Sequence, residues 1–322
     1  MNYTSTNMRM WSRLGPSGSL GVAAVEIGKE YEKTLFLTAD MTFAAGLERF
    51  KNSYPDKLYD VGIAEQNLIG IATGFASEGF SPFAVTYATF FATRALDQVK
   101  MCLGYMRQPV KMIGLNAGFA AGILGPTHMA IEDIAAMRSI PNMTVVAPAD
   151  MTEVVKTVLA AAEYNSPIFI RLTGEMNQSQ VYTEDYNFTI GKSILLREGN
   201  DVAIIACGTI LYNCLQVAEK LSEKGISCKV INMHTIKPLD EDSIKKTLSS
   251  KLIVTVEEHN ILGGLGSAVA EYLSGQVNAP KLLRLGVNNI YPHAGSYKHL
   301  LEECGLDTNG ILNSIEREYS KL

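Results

Sequence analysis

Residues 59–74, YDVGIAEQNLIGIATG, are the most informative stretch of the sequence. The first part is a short run that suits a strand, and the later part repeats apolar and small residues at helical spacing, so a strand is predicted to pass directly into a helix. Glu65 lies at this junction among apolar and small side chains. A carboxylate kept out of water is suited to acid-base chemistry, which makes Glu65 the first functional candidate. The alternative is a first-turn glutamate that only complements the helix dipole.

Length and composition narrow the class of protein. A chain of 322 residues exceeds what one hydrophobic core usually serves, which predicts two domains. A formal net charge of −5 gives no reason to expect nucleic acid as a partner. We find no apolar run of signal-peptide or membrane-spanning length, and therefore expect a cytoplasmic protein without membrane contact. The five cysteines form no Cys-x-x-Cys pair, which indicates buried thiols rather than metal ligands.

Short β-branched runs alternate with helical segments along the chain. Apolar strands separated by helices indicate a parallel sheet that is covered on both faces. The polar, aperiodic residues 175–191 predict an interdomain linker. We therefore expect an α/β protein with two doubly wound, mainly parallel-sheet domains in series, at residues 1–185 and 186–322. The predicted strands are residues 34–40, 57–63, 82–87, 110–116, 144–147, 168–173, 202–207, 228–233, 252–256 and 281–285.

A glycine-rich turn in the second half resembles a dinucleotide fingerprint. It reads Gly263-Gly264-Leu265-Gly266 and joins a predicted strand to a helical segment. The glycine spacing does not fit that fingerprint, and no acidic residue ends a strand about 20 positions later. We interpret the motif as a tight turn that binds no dinucleotide.

The stretch around Glu65 resembles the pyrimidine-domain signature of thiamine diphosphate enzymes, in the branch of the transketolases and deoxyxylulose-phosphate synthases. Three other segments strengthen the resemblance, which covers most of the chain: TYATFF at 86–91, GPTH at 125–128 and IPNMTVVAPAD at 140–150. The resemblance implies a pyrimidine-binding domain followed by a transketolase C-terminal domain. It also implies transfer of a two-carbon ketol unit from a ketose-type donor to an aldehyde acceptor.

The resemblance assigns Glu65 to thiamine diphosphate. A carboxyl group at N1′ of the aminopyrimidine makes the cofactor's own 4′-amino group basic enough to deprotonate the thiazolium ring, and Glu65 occupies the family position for this task. An aromatic ring should stack on the flat pyrimidine. Phe90 falls at that position, with Tyr87 close by, and Phe91 is the rival. Without the resemblance, core packing would be the better interpretation of either phenylalanine.

Other positions also acquire roles through the resemblance. Asp40 and Ile63 would lie beside the cofactor, although Asp40 could equally be a helix N-cap. His128 would hold a substrate hydroxyl or carbonyl oxygen, and the helical pattern that follows predicts a helix beginning at this residue. Gly70 and Gly74 lie four apart on the predicted helix, where small residues serve either a subunit contact or packing against the sheet.

The family's diphosphate motif is missing. No Gly-Asp-Gly segment occurs, and the family uses this segment with a later asparagine to bind Mg²⁺ and the diphosphate. The resemblance therefore implies half of a split enzyme. A separate N-terminal transketolase subunit would carry the diphosphate domain and most of the Mg²⁺ ligands, and the two chains would form an α2β2 heterotetramer.

Three positions that bind the sugar in the family are changed. Leu124 replaces an aspartate that reads a sugar hydroxyl, Asn116 lies near the position of a phosphate-binding histidine, and Gly174 lies near that of an arginine. Arg171 is then the nearest cation and a candidate anion contact. These changes predict a small-molecule substrate that is not an ordinary pentose or hexose phosphate but a non-phosphorylated or modified one.

Two alternatives remain at this stage. The β subunit of a 2-oxo acid dehydrogenase shares the fold, the glutamate and the need for a partner, but GPTH followed by Ile-Glu-Asp suits the transketolase branch better. Release of CO2 from pyruvate would favour that alternative. A non-catalytic assembly or regulatory subunit would account for the missing half, although not for Glu65, Tyr87, Phe90 and His128 together.

Overall fold

The computed structural model describes residues 1–322 and contains two sheets flanked by helices. The strands are β1 (Thr34–Thr38), β2 (Leu58–Asp60), β3 (Ser81–Tyr87), β4 (Lys111–Leu115), β5 (Thr144–Val146), β6 (Ile168–Arg171), β7 (Ile194–Arg197), β8 (Val202–Ala206), β9 (Cys228–Asn232), β10 (Thr235–Lys237), β11 (Leu252–Asn260) and β12 (Lys281–Val287).

The α-helices are α1 (Ser5–Glu30), α2 (Glu48–Ser53), α3 (Glu65–Ser77), α4 (Ala88–Ala92), α5 (Leu96–Gln98), α6 (Asp133–Ser139), α7 (Met151–Ala162), α8 (Leu211–Glu223), α9 (Glu241–Lys245), α10 (Leu265–Ser274), α11 (Tyr297–Glu303) and α12 (Thr308–Tyr319). A π-helix (Val99–Tyr105) continues α5, and 3-10 turns cover Pro55–Lys57 and Gly122–Leu124. None of the helices combines the length and apolar character that crossing a bilayer requires.

Both sheets are mainly parallel. The first has the order β10-β5-β6-β4-β3-β1-β2 and the second has the order β12-β11-β8-β9-β7. Only β10, on β5, and β7, on β9, are antiparallel. The predicted α/β architecture of two doubly wound domains in series is confirmed.

The ten predicted strands all overlap observed strands, but β7 and β10 were missed. Both are short edge strands, and such strands carry little periodic signal. The strand β10 comes from the second half of the chain yet pairs with β5 of the first half. This crossing could not be predicted from local sequence because it is a long-range contact.

The predicted linker lies against both domains, since Tyr182 also accepts a hydrogen bond from the Asn232 side chain of the second domain. Residues 172–193 contain no helix or strand. The Asp150 carboxylate accepts hydrogen bonds from the backbone N–H groups of Val181 and Tyr182, both at 2.9 Å. Tyr182 is buried and its ring stacks on that of Tyr186. The segment is therefore held in place, and the domain boundary after residue 185 stays a prediction.

Apolar packing joins the two domains. The largest buried cluster includes Phe169 and Val145 of the first sheet together with Leu265 and Val269 of α10. A separate cluster beneath α1 and α7 belongs to the first domain alone. Because one continuous core crosses the interface, the domains are expected to keep a fixed relative position.

Candidate functional site

Several candidate residues meet at one edge of the first sheet. Asp40 follows β1, Tyr87 ends β3, Asn116 follows β4 and Arg171 ends β6. These four strands are neighbours and run parallel, so their carboxyl ends share an edge. This is the edge at which open parallel sheets bind ligands.

The loop that carries Glu65 to this edge is anchored by Asp60. The Asp60 carboxylate accepts hydrogen bonds from the backbone N–H groups of Asp40, at 2.9 Å, and Gly62, at 3.0 Å. Burial opposes ionisation of Asp60, but these N–H groups outweigh it and lower the pKa. Glu65 follows as the first residue of α3, and only 7% of its side chain is exposed.

Arg94 links Glu65 to Phe90. Its Nη1 lies 3.0 Å from Glu65 Oε1, and its guanidinium lies 3.7 Å from the centre of the Phe90 ring. The side chain of Gln66 donates a hydrogen bond to the backbone oxygen of Arg94. Sequence analysis missed this partner, although the cation four residues after Phe90 was a usable signal. Glu65 and Phe90 thus contact the same flat cationic group.

An open cleft adjoins this pair. It has a volume of about 470 Å³ and is lined by Ile63, Ala64, Glu65, Gln66, Asn67 and Arg94. No group of three or more His, Cys, Asp or Glu side chains is arranged to hold a metal ion. Beyond the cleft, a Cβ at Gly70 or Gly74 would meet no atom outside its own helical turn within 4 Å. The alternative prediction, that these glycines pack against the sheet, is therefore wrong. Their role in a subunit contact stays a prediction.

The two phenylalanines after Tyr87 point to different places. Phe91 is fully buried and packs edge-on against Phe169 in the core. Phe90 is only partly buried, and its ring contacts those of Tyr87 and His128 edge-on, at centroid distances of 5.6 and 5.5 Å. Phe90, and not Phe91, therefore faces the cleft side of the first domain.

The prediction that a helix begins at His128 is wrong. Helix α6 begins only at Asp133, because Ala130 instead forms β-bridges with Ala117 and Gly118. His128 lies in the resulting loop, residues 117–131, where its Nδ1 is 2.9 Å from Thr127 Oγ1. The histidine therefore has no helix dipole behind it, and its backbone position is that of the loop.

The Arg171 side chain is buried at the domain interface, where its contacts are with protein groups. It is 1% exposed, its Nε lies 2.8 Å from Asp133 Oδ2, and its Nη2 donates to the backbone oxygens of Ala130 and Glu258. A substrate anion could bind this guanidinium only if the ion pair with Asp133 broke. The expected role of Arg171 as an anion contact therefore has no support in this geometry.

The three changed sugar-binding positions present no charge. Leu124 is 49% exposed at the end of a 3-10 turn. Asn116 is partly buried and has a left-handed backbone, with φ of 52°. Gly174 lies against Gln178 and Thr209. A phosphate group would find no cation at any of these positions.

The glycine-rich turn binds a carboxylate of its own chain. Glu257 accepts hydrogen bonds from the backbone N–H groups of Leu265, at 2.6 Å, and Gly266, at 2.8 Å, at the start of α10. A Cβ at Gly264 would stand 2.0 Å from Glu257 Oε2, so a larger residue is excluded there. Glu257 thus occupies the helix N-terminus that a dinucleotide phosphate would need.

Comparison with known families identifies both halves of the chain. The model of the transketolase pyrimidine-binding domain matches residues 17–178, and that of the transketolase C-terminal domain matches residues 191–311. The chain belongs to the transketolase family. Members of this family use thiamine diphosphate.

Individual relatives of this transketolase-family chain are split proteins. It is 38% identical over 303 residues to the putative transketolase C-terminal section of Methanocaldococcus jannaschii, covering 94% of this chain and 95% of the relative. It is 36% identical over 291 residues to the 6-deoxy-6-sulfo-D-fructose transketolase subunit of Clostridium sp. MSTE9, covering 90% of each. The solved structure of a split gene transketolase, an inactive β4 tetramer, is 35% identical with a TM-score of 0.86, covering 95% of this chain and 98% of that one.

The buried ion pair yields a prediction about stability. Arg171→Met should lower the free energy of unfolding by about 3–5 kcal/mol, because Asp133 would stay buried without its cation. Urea titration monitored by circular dichroism measures the change. Arg197→Met, at a partly exposed position on β7, is the control and should cost little. Equal stability of the two variants would contradict a structural role for Arg171.

Proposed function

We propose that this chain is the pyrimidine-binding and C-terminal half of a thiamine diphosphate-dependent transketolase. The enzyme would transfer a two-carbon ketol unit from a ketose-type donor to an aldehyde acceptor. The observation that carries the proposal is the buried carboxylate of Glu65, which shares one flat cation with the face of Phe90. Relatives that are named as transketolase subunits support the same conclusion.

Arg94 indicates that the site suits an aminopyrimidine. A guanidinium is flat, delocalised and rich in N–H donors, and here it stacks on Phe90 while it donates to Glu65. A protonated aminopyrimidine has the same shape and would offer the same kind of donor to the carboxylate. We infer that the ring would use these two contacts, with Tyr87, Asp40 and Ile63 around it. Arg94 would then lose at least one of its contacts with Glu65 and Phe90.

The residues of this chain would each perform a simple task. When bound, thiamine diphosphate supplies the nucleophilic carbon that breaks and remakes the carbon–carbon bond of the sugar. Glu65 would share a proton with ring nitrogen N1′ and would thereby make the conjugated 4′-amino group more basic. Phe90 would fix the plane of the ring. His128 would hold a hydroxyl or carbonyl oxygen of the substrate by a hydrogen bond.

The remaining half of the site would come from a partner. We infer an N-terminal transketolase subunit that carries the Gly-Asp-Gly segment and holds Mg²⁺ and the diphosphate, in an α2β2 heterotetramer. The cleft beside Glu65 is open, and Ile63 at its rim is 75% exposed. The unobstructed face at Gly70 and Gly74 would let another backbone approach closely. The β4 tetramer of a split relative, described as inactive, also supports a requirement for a second chain.

A conservative substitution tests Glu65. Glu65→Gln should leave the fold intact and lower turnover of the reconstituted complex by at least about 100-fold, because an amide cannot exchange a proton with N1′. Steady-state assays with matched circular dichroism spectra measure this. Glu78→Gln, at the exposed C-terminal end of the same helix, is the control. Normal turnover by Glu65→Gln would refute the assigned role, and an inactive wild-type complex would favour the assembly-subunit alternative.

Cofactor binding tests the split site. Calorimetric titration of the isolated chain with thiamine diphosphate and Mg²⁺ should show little binding, and tight binding should appear only after the partner is added. Tight binding to the isolated chain would refute the model. In the complex, Arg94→Met should bind the cofactor at least as tightly as the wild type, because the competing guanidinium is gone. Weaker binding would mean that Arg94 helps to hold the ring.

Substrate profiling tests the changed sugar positions. Xylulose 5-phosphate and ribose 5-phosphate should be poor substrates, because a phosphate without a cation loses charge-assisted hydrogen bonds. Sugars with a sulfonate, amino, apolar or otherwise modified end should react faster, and the sulfofructose transketolase subunit among the relatives supports this choice. A kcat/KM of about 10⁴ M⁻¹s⁻¹ or more on the pentose phosphates would overturn this prediction and leave the ketol-transfer proposal standing.

A further inference from the structure

The second domain holds the loop that carries His128. Three side chains of residues 117–131 belong to the apolar core of the second domain, namely Phe119, Met129 and Ile131. Backbone bonds cross the interface as well, from Gly295 N–H to Gly122 O at 3.1 Å and from Asn260 N–H to Ile131 O at 2.8 Å. The loop is therefore shaped by residues that lie far away in sequence.

Glu258 on β11 makes the most direct of these contacts. The side chain is 1% exposed, and its Oε1 accepts a hydrogen bond from the backbone N–H of Phe119 at 2.6 Å. Gly118 has φ of +60°, and a Cβ there would stand 2.0 Å from Glu258 Oε1. Only glycine therefore lets the carboxylate reach the loop backbone at this point.

Tyr297 completes the contact from α11. Its hydroxyl donates to Glu258 Oε2 at 2.5 Å and lies 3.0 Å from Thr209 Oγ1. Thr209 Oγ1 in turn lies 3.0 Å from Thr173 Oγ1 in the first domain. Both carboxylate oxygens of Glu258 thus have hydrogen-bond donors, and the chain of polar contacts begins and ends in the first domain.

We propose that Glu258 and Tyr297 are positioning residues, which set the place of His128 by clamping the backbone at Phe119. The inference rests on the proposed function only in the role given to His128. Without the Glu258 carboxylate the buried N–H of Phe119 would lose its charged acceptor, and without the Tyr297 hydroxyl that carboxylate would lose a donor that fixes it, so the loop would be held less firmly in either case. Neither clamp residue lines the cleft at Glu65. The clamp would therefore affect substrate binding, through His128, and would leave binding of the cofactor ring unchanged.

Two conservative variants test the clamp, each with a matched control. Tyr297→Phe removes one hydroxyl, and Tyr182→Phe is its control, because Tyr182 also bonds a buried glutamate, Glu153. Glu258→Gln replaces the charged acceptor of the Phe119 N–H by a weaker, neutral amide oxygen, and its control is Glu257→Gln, the neighbour that bonds the start of α10 instead. The first measurement is hydrogen exchange of peptides spanning 117–131 in the complex. We expect faster exchange in the two clamp variants and unchanged exchange of that loop in the two controls.

Kinetics separate positioning from general stability. Tyr297→Phe should lower kcat/KM for the acceptor by about tenfold, the factor for one lost buried hydrogen bond, while calorimetric affinity for thiamine diphosphate stays unchanged. In a His128→Ala background the same change should have little further effect, because the clamp acts through His128. A full tenfold loss in that background, or weakened cofactor binding, would overturn the proposal.

Hydrogen exchange also separates failure of the clamp from failure of the proposed function. If the wild-type complex transfers no ketol unit, the proposed function fails. Faster loop exchange in Tyr297→Phe would by itself still establish that the clamp holds the loop. If the complex is active and loop exchange does not change in either clamp variant, the clamp fails while the proposed function stands.

Discussion

A guanidinium group buried between two domains needs a partner for its charge and acceptors for its N–H groups, and Arg171 finds them on three segments. Asp133 at the start of α6 neutralises it, and the backbone oxygens of Ala130 and Glu258 accept from it. Removing one partner of this ion pair would leave the other charge buried without compensation, which is far costlier than losing a surface contact. The domain interface and the loop that carries His128 are for this reason one structural unit.

The ion pair of Glu65, unlike that of Arg171, is open to solvent. Its carboxylate is nearly covered by its own chain, but its partner Arg94 is half exposed, so water screens one side of the ion pair. The surroundings are an open cleft, the exposed side chain of Ile63 and the bare face of α3 at Gly70 and Gly74. This chain therefore forms one side of the site and leaves the other side open. A requirement for a second chain and the capacity for thiamine chemistry would thus arise from the same surface.

Two adjacent glutamates on β11 illustrate how one strand serves both structure and site. Side chains alternate across a strand, so Glu257 points to the start of α10 and Glu258 to the loop at Phe119. Burial raises the pKa of each to about 7, and each has two hydrogen-bond donors that favour its charged form. The glycines that resemble a nucleotide motif are explained by the first of these contacts, because only glycine leaves room for the carboxylate.

The sequence by itself determined what local patterns carry: the α/β class, the parallel strands and the place of Glu65 at the start of a helix, because hydrophobic period and helix-start signals act over few residues. The folded structure accounts for the rest. It turned Phe90 outward and Phe91 into the core, placed Arg171 in an ion pair with Asp133, replaced the helix start predicted at His128 by a loop, and placed Arg94 on Glu65. These outcomes depend on contacts between residues distant in sequence, which compete for the same partners only when the chain is folded.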